Sequence, residues 1–119
     1  LGSVDIALDS APYSGCTTSC DTLWMGVPVL TLPGALSASR SSASILTTLG
    51  LTEWIASTPE DYVRLAGEFA RDEANITMLR KSLRTRMLAS PLMDEPRCAR
   101  DVEAAYRRMW RAWCERPSP

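Results

Sequence analysis

The sequence predicts an α/β fold in which about three parallel strands alternate with crossover helices before the chain turns wholly helical. Three observations carry this reading. Short apolar runs at residues 4–8, 27–32 and 51–56 are each bounded by Gly, Pro, Ser or Asp, as buried strands are. The stretches between the runs show helical signals, and beyond Thr58 only helical periodicity remains. Strand–helix–strand order with short connections belongs to parallel sheets, and doubly wound sheets have about five or six strands. The pattern is therefore that of the second half of such a sheet.

Each element has a local cause. Val4, Ile6 and Leu8 make the first strand, which Asp9, Ser10 and Pro12 end. Residues 17–25 contain little that breaks a helix, and Gly26 followed by Pro28 supplies a left-handed stop with proline beyond it. Residues 27–32 are β-branched and apolar and end at Pro33-Gly34, which marks a strand buried on both faces. Residues 35–39 read as a small-residue loop. Ala43, Ile45, Leu46 and Leu49 then fall at helical spacing, with Gly50 as the stop. Residues 51–56 are assigned to a third, shorter strand. Thr58-Pro59-Glu60-Asp61 places a capping hydroxyl, a first-turn proline and two carboxylates at a helix start. Tyr62, Leu65, Ala66, Phe69 and Ala70 form one apolar stripe. After a polar break at residues 71–75 the stripe resumes with Ile76, Leu79, Leu83 and Met87. Val102, Ala105, Tyr106, Met109 and Trp113 continue it in a last helix from about Asp94. The expected organisation is residues 1–57 as the strand–helix unit, 58–114 as helices packing on it, and 115–119 as a tail.

With 119 residues there is room for one domain, and a hydrophobic fraction of 45% is that of a globular core rather than a disordered chain. The net charge of −1 gives no global field for nucleic acid or an anionic membrane. Acidic residues dominate the first half, with Asp5, Asp9, Asp21, Glu53, Glu60 and Asp61 against Arg40 alone, while the second half interleaves both signs with a basic surplus. Such interleaving along helices is the signature of a solvated face. The chain has no His and one lysine, Lys81. Imidazole triads, His-containing metal sites and His proton shuttles are thereby excluded within it. Cys16, Cys20, Cys98 and Cys114 contain no CxxC pair, so no zinc site is expected. With neither a leader nor an apolar run of about 20 residues, free thiols in a cytoplasmic setting are expected. Leu1 stands directly before a strand-like run, which suggests an excerpt from a longer chain.

The segment with the most chemistry is Pro12-Tyr13-Ser14-Gly15-Cys16-Thr17-Thr18-Ser19-Cys20-Asp21. It joins the carboxyl end of a strand to a helix N-terminus, where open α/β sheets bind ligands. Gly15 permits close approach of backbone to ligand. First-turn N–H groups and the Thr17 and Thr18 hydroxyls supply donors suited to a diphosphate. Asp21 lies one turn deeper on the same face, where a carboxylate accepts from vicinal ribose hydroxyls. Beside this stands a plain structural reading, in which Thr17 or a neighbour caps the helix and Asp21 is solvated.

Several segments in register resemble the C-terminal end of the O-linked N-acetylglucosamine transferase and SPINDLY family, in a bacterial-type form. They are residues 4–9, Pro12-Tyr13-Ser14-Gly15, Thr17-Thr18, residues 21–29, Ala38-Ser39-Arg40, residues 90–94 and residues 106–110. The resemblance implies a metal-independent, two-domain glycosyltransferase without other cofactors, in which facing Rossmann-like domains enclose the site. UDP-N-acetylglucosamine would be the donor, Ser and Thr of proteins the acceptors, and upstream tetratricopeptide repeats would present them. It implies that Gly15, Cys16, Thr17 and Thr18 hold the donor diphosphate and Asp21 the donor ribose. Animal transferases have His where this chain has Cys16. The family's catalytic apparatus and donor-binding lysine lie upstream, so the resemblance implies no catalytic residue here and an isolated segment without activity. The SPINDLY branch uses GDP-fucose, which gives an alternative donor.

Other features have bland explanations. Cys16 and Cys20 read as two unpaired thiols rather than a redox pair. Trp24, Trp54, Trp110 and Trp113 read as core rather than as a sugar platform. Arg40 suits an ion pair or loop anchor as well as a phosphate contact. The pairs Glu60-Asp61, Asp72-Glu73 and Asp94-Glu95 suit helix starts better than acid–base catalysis. A non-enzymatic alternative is a self-associating α/β module, paired through the edge at residues 4–8 or through the Trp-rich last helix.

Overall fold

The computed structural model describes residues 3–115, so the tail expected at 115–119 lies, apart from Glu115, outside the described residues. The order is β1 (Ala7–Leu8), α1 (Thr17–Trp24), β2 (Val29–Leu30), α2 (Ser41–Thr48), α3 (Pro59–Phe69), α4 (Glu73–Leu88) and α5 (Glu95–Cys114). Single 3₁₀ turns stand at Ser37–Ser39, Thr52–Trp54 and Pro91–Met93.

The sheet is parallel, with Ala7 opposite Val29 and Leu8 opposite Leu30. It is smaller than the sequence predicts. Arg80 takes the carbonyl of Val4 at 2.8 Å and pairs with Asp5 at 2.9 Å, so the start of the first apolar run turns toward α4. The predicted third strand is reduced to one parallel bridge, Thr31 to Ile55. Its bonds are Thr31 N–H to Trp54 O at 3.1 Å and Ala56 N–H to Thr31 O at 2.8 Å. The physical reason is Trp54. The turn Thr52–Trp54 winds up ahead of the bridge and carries the indole fully into the core, stacked on Phe69 at 4.2 Å. The fold is thus helix-rich α/β with a two-stranded parallel sheet.

Helix boundaries follow the expected punctuation. Gly26 and Gly50 have φ of +81° and +68°, the left-handed geometry that ends helices. Thr58 accepts from Asp61 N–H, while the Asp61 carboxylate accepts from Ser57 N–H at 3.0 Å; this two-way cap fixes the start of α3. Asp72 and Asp94 cap α4 and α5 in the same way through Asn75 and Arg97 N–H.

β2 lies at the centre of the core. Leu23 of α1, Ile45, Leu46 and Leu49 at α2, Leu51, Trp54, and Leu79, Leu83 and Met87 of α4 surround it. Tyr62, Leu65, Ala66 and Phe69 of α3 pack against this cluster from outside. The last helix departs from expectation. Val102, Tyr106, Met109, Trp110 and Trp113 are all exposed, Trp110 by 67%, so Trp110 and Trp113 are not core residues. α5 meets the body near its beginning, at Pro91–Met93, and extends away. The principal extents of 61 × 31 × 19 Å and the radius of gyration of 17.7 Å express this arm. No helix among the described residues is long and apolar enough to cross a membrane.

Candidate functional site

The loop from Ser10 to Cys16 connects β1 to α1 at the carboxyl end of both strands. A web of serines and one aspartate fixes its path. The Ser14 hydroxyl, buried, donates to Ala38 O at 3.2 Å and accepts from Ser41 N–H at 3.0 Å. It thereby occupies the N-terminus of α2, where Arg40 contributes no side-chain cap. Ser42 Oγ donates to Gly15 O at 2.8 Å and lies 2.8 Å from Ser19 Oγ. A Cβ on Gly15 would sit 2.5 Å from Ser19 Oγ, so any larger residue here would have to displace that hydroxyl.

The N-terminus of α1 is treated differently from those of α3, α4 and α5. Its N-cap is Cys16, which makes no side-chain capping bond, and no carboxylate stands in the first turn. The Thr17 and Thr18 side chains are exposed at the first two helical positions and do not cap. The N–H groups of the exposed residues Cys16, Thr17 and Thr18 at the positive helix end have no side-chain acceptor among the described residues. Asp21, exposed, follows one turn later in α1. The structure thus brings Cys16, Thr17, Thr18 and Asp21 onto one accessible helix start, with Gly15 as the turn beneath. Gly15's own N–H points inward, to Asp9 Oδ1 at 2.8 Å.

Burial pushes the Cys20 thiol up, with Cys16 and Asp21 adding to the effect. That direction is opposite to what a redox-active thiol needs, and all four cysteines are free. Arg40 is exposed and makes no ion pair among the described residues. The open depression lined by Leu88, Ser90, Asp94 and Arg97 involves none of these residues.

The residue pattern alone assigns no part in fixing this loop to Asp9, Ser14, Ser42 or Tyr62. The signal available for Asp9 was an aspartate directly at a strand's end with Ser10 behind it, a pair that forms a side-chain-supported turn. Tyr62 packs against the core as the apolar stripe predicts, and its hydroxyl also donates to Asp9 O at 2.9 Å.

A helix start at the carboxyl edge of parallel strands is the place where open α/β sheets bind ligands. The model of glycosyl transferase family 41 matches residues 2–102. The chain belongs to that family, which is a family of glycosyltransferases. It is 44% identical, over 98% of its length, to a barley (Hordeum vulgare) protein named as a probable UDP-N-acetylglucosamine–peptide N-acetylglucosaminyltransferase SPINDLY, of which it covers 12%. The Arabidopsis thaliana protein of the same name is 40% identical over 98% of the chain, which spans 13% of that protein. Among solved structures, a mutant O-GlcNAc transferase of Thermobaculum terrenum superposes with a TM-score of 0.86 at 45% identity, over 94% of this chain and 22% of that one. The chain therefore spans about an eighth of the plant relatives and under a quarter of the bacterial structure.

Proposed function

We propose that this chain is the donor-binding segment of a protein O-glycosyltransferase that transfers N-acetylglucosamine from UDP-N-acetylglucosamine to Ser or Thr of proteins. The observation that supports it is the open N-terminus of α1 beside the Gly15 turn, in a chain of glycosyl transferase family 41. The N–H groups at Cys16, Thr17 and Thr18, with the two threonine hydroxyls, bind the donor diphosphate; the positive helix end, rather than a metal, offsets its charge. Asp21 accepts from the ribose hydroxyls. On this reading the sheet is the second half of a Rossmann-like domain in a two-domain cytoplasmic enzyme. Residues 58–114 are its C-terminal helices, of which α3 and α4 pack on that half-domain while α5 extends from it, and the catalytic groups and acceptor-presenting repeats stand outside this segment.

Because diphosphate and ribose are common to both donors, the segment also suits the GDP-fucose alternative. Isotope-resolved NMR titration with UDP, GDP and UMP tests the site. UDP and GDP are expected to shift the amides of residues 15–21 alike, with UMP weaker. Shifts absent from that segment at millimolar UDP would refute the assignment. A second reading, self-association, is favoured by the exposed apolar side chains of α5. It predicts a mass that rises with concentration in light scattering.

A further inference from the structure

We infer that Asp9 is a positioning residue for this site, one that turns the Gly15 N–H away from the ligand and so leaves the α1 helix start to face it. On the reading that α1 takes a diphosphate, Asp9 acts through the loop and does not touch the donor. Three segments meet on this one residue: the end of β2, the Ser10–Cys16 loop and α3. Its N–H continues the ladder to Leu30 O at 2.9 Å. Oδ1 accepts from Ser10 N–H at 3.1 Å and Gly15 N–H at 2.8 Å. Oδ2 accepts from the Thr31 hydroxyl at 2.6 Å, and the main-chain oxygen accepts from Tyr62. Thr31, directly after β2, is fully buried, so the carboxylate is anchored to the core on one side and to the loop on the other.

The side-chain arrangement matches what an ionised carboxylate offers, acceptor sites on both oxygens and no donor. It also fixes which donors are free. An anionic group placed at the turn would compete with incoming phosphate if it stood open; here three donors occupy it. Gly15 contributes its lack of a Cβ and its carbonyl, which Ser42 holds. The N–H groups left for an anion are those that follow, from Cys16 into the first turn of α1. Tyr62 extends the same fixation to α3, so the loop is held from strand and helix together.

The test compares the 119-residue chain with Asp9→Ala, Asp9→Asn and Thr31→Val by amide hydrogen exchange and UDP titration. Asp9→Ala is expected to speed Gly15 exchange at least tenfold and to weaken UDP binding by about tenfold, the size of one charge-assisted hydrogen bond. Asp9→Asn keeps an acceptor for Gly15 and turns its amide N–H₂ toward the Thr31 oxygen, and should restore binding to within about threefold of the parent chain. Thr31→Val, which frees only Oδ2, should change both readouts in the direction of Asp9→Ala by a smaller factor, and it serves if Asp9→Ala fails to fold. Unchanged Gly15 exchange in Asp9→Ala, or in Thr31→Val should that variant stand in, overturns the proposal. So does parent-like UDP affinity once Gly15 is released. A parent chain that gives no UDP-dependent shifts overturns the diphosphate reading instead, and the exchange rates then decide the hold of Asp9 on Gly15 by themselves.

Discussion

Replacing Gly15 by alanine is expected to destabilise the chain by about 2 kcal/mol, the sum of a displaced hydrogen bond and local crowding. The added Cβ would stand 2.5 Å from Ser19 Oγ but 3.4 Å from Asp9 Oδ1 and 3.5 Å from Ser19 N. Only the Ser19 hydroxyl has to move. It is buried and lies 2.8 Å from Ser42 Oγ, so rotating it gives up that bond at a cost of about 1 kcal/mol. Fitting a methyl group into the filled space costs about 1 kcal/mol more. For a chain of this length the total corresponds to a fall in Tm of about 8 °C, read by calorimetry or circular dichroism. Ser19→Ala deletes the obstructing atom, and in that background Gly15→Ala should cost under about 1 kcal/mol. The two substitutions are therefore coupled. Costs that add to within about 0.5 kcal/mol, or a Gly15→Ala chain that melts with its parent, would refute the steric account of this glycine.

Trp54→Ala should cost about 3–5 kcal/mol in urea denaturation, because the indole is fully buried on Phe69. Trp54→Phe should cost less than about 2 kcal/mol, since it also removes an indole N–H that has no partner among the described residues. At Asp61 the Ser57 N–H, and then Arg64, hold the carboxyl below the usual carboxylate range. Its contribution to stability is accordingly full above the unfolded value of about 3.9 and is lost as pH falls through the lower folded value. Tm measured from about pH 6 down to about pH 2 should show a smaller acid loss in Asp61→Asn than in the parent. Tyr106→Ser with Trp110→Ser should leave Tm nearly unchanged, both side chains being about two-thirds exposed, yet reduce any concentration-dependent mass in light scattering.

Helices were legible because their ends are written locally. Gly26 and Gly50 adopt the left-handed stops, and Thr58, Asp72 and Asp94 make the caps that their residue types and positions suggest. Strand length was not legible, because it depends on partners distant in the chain. The carbonyl of Val4 goes to Arg80, and Trp54 takes a turn instead of a ladder position to reach Phe69. Periodicity at α5 showed an apolar face correctly but not its surroundings, since an apolar stripe implies a covering surface without naming one. At the candidate site, the glycine turn and uncovered helix start follow from residue order. The inward Gly15 N–H, the Ser14 contact at α2 and the Ser19–Ser42 pair link residues about 6 to 28 positions apart, which no local pattern of spacing reveals.

The arm formed by α5 has a hydrodynamic consequence. A compact chain of this length has a radius of gyration of about 13–14 Å, against 17.7 Å here. A single molecule so drawn out meets more friction than a sphere of its mass, diffuses more slowly and emerges early from a sizing column. Its elution volume alone would imitate that of a dimer. Frictional ratio and scattered intensity separate elongation from association, because the first responds to shape at constant mass and the second to mass.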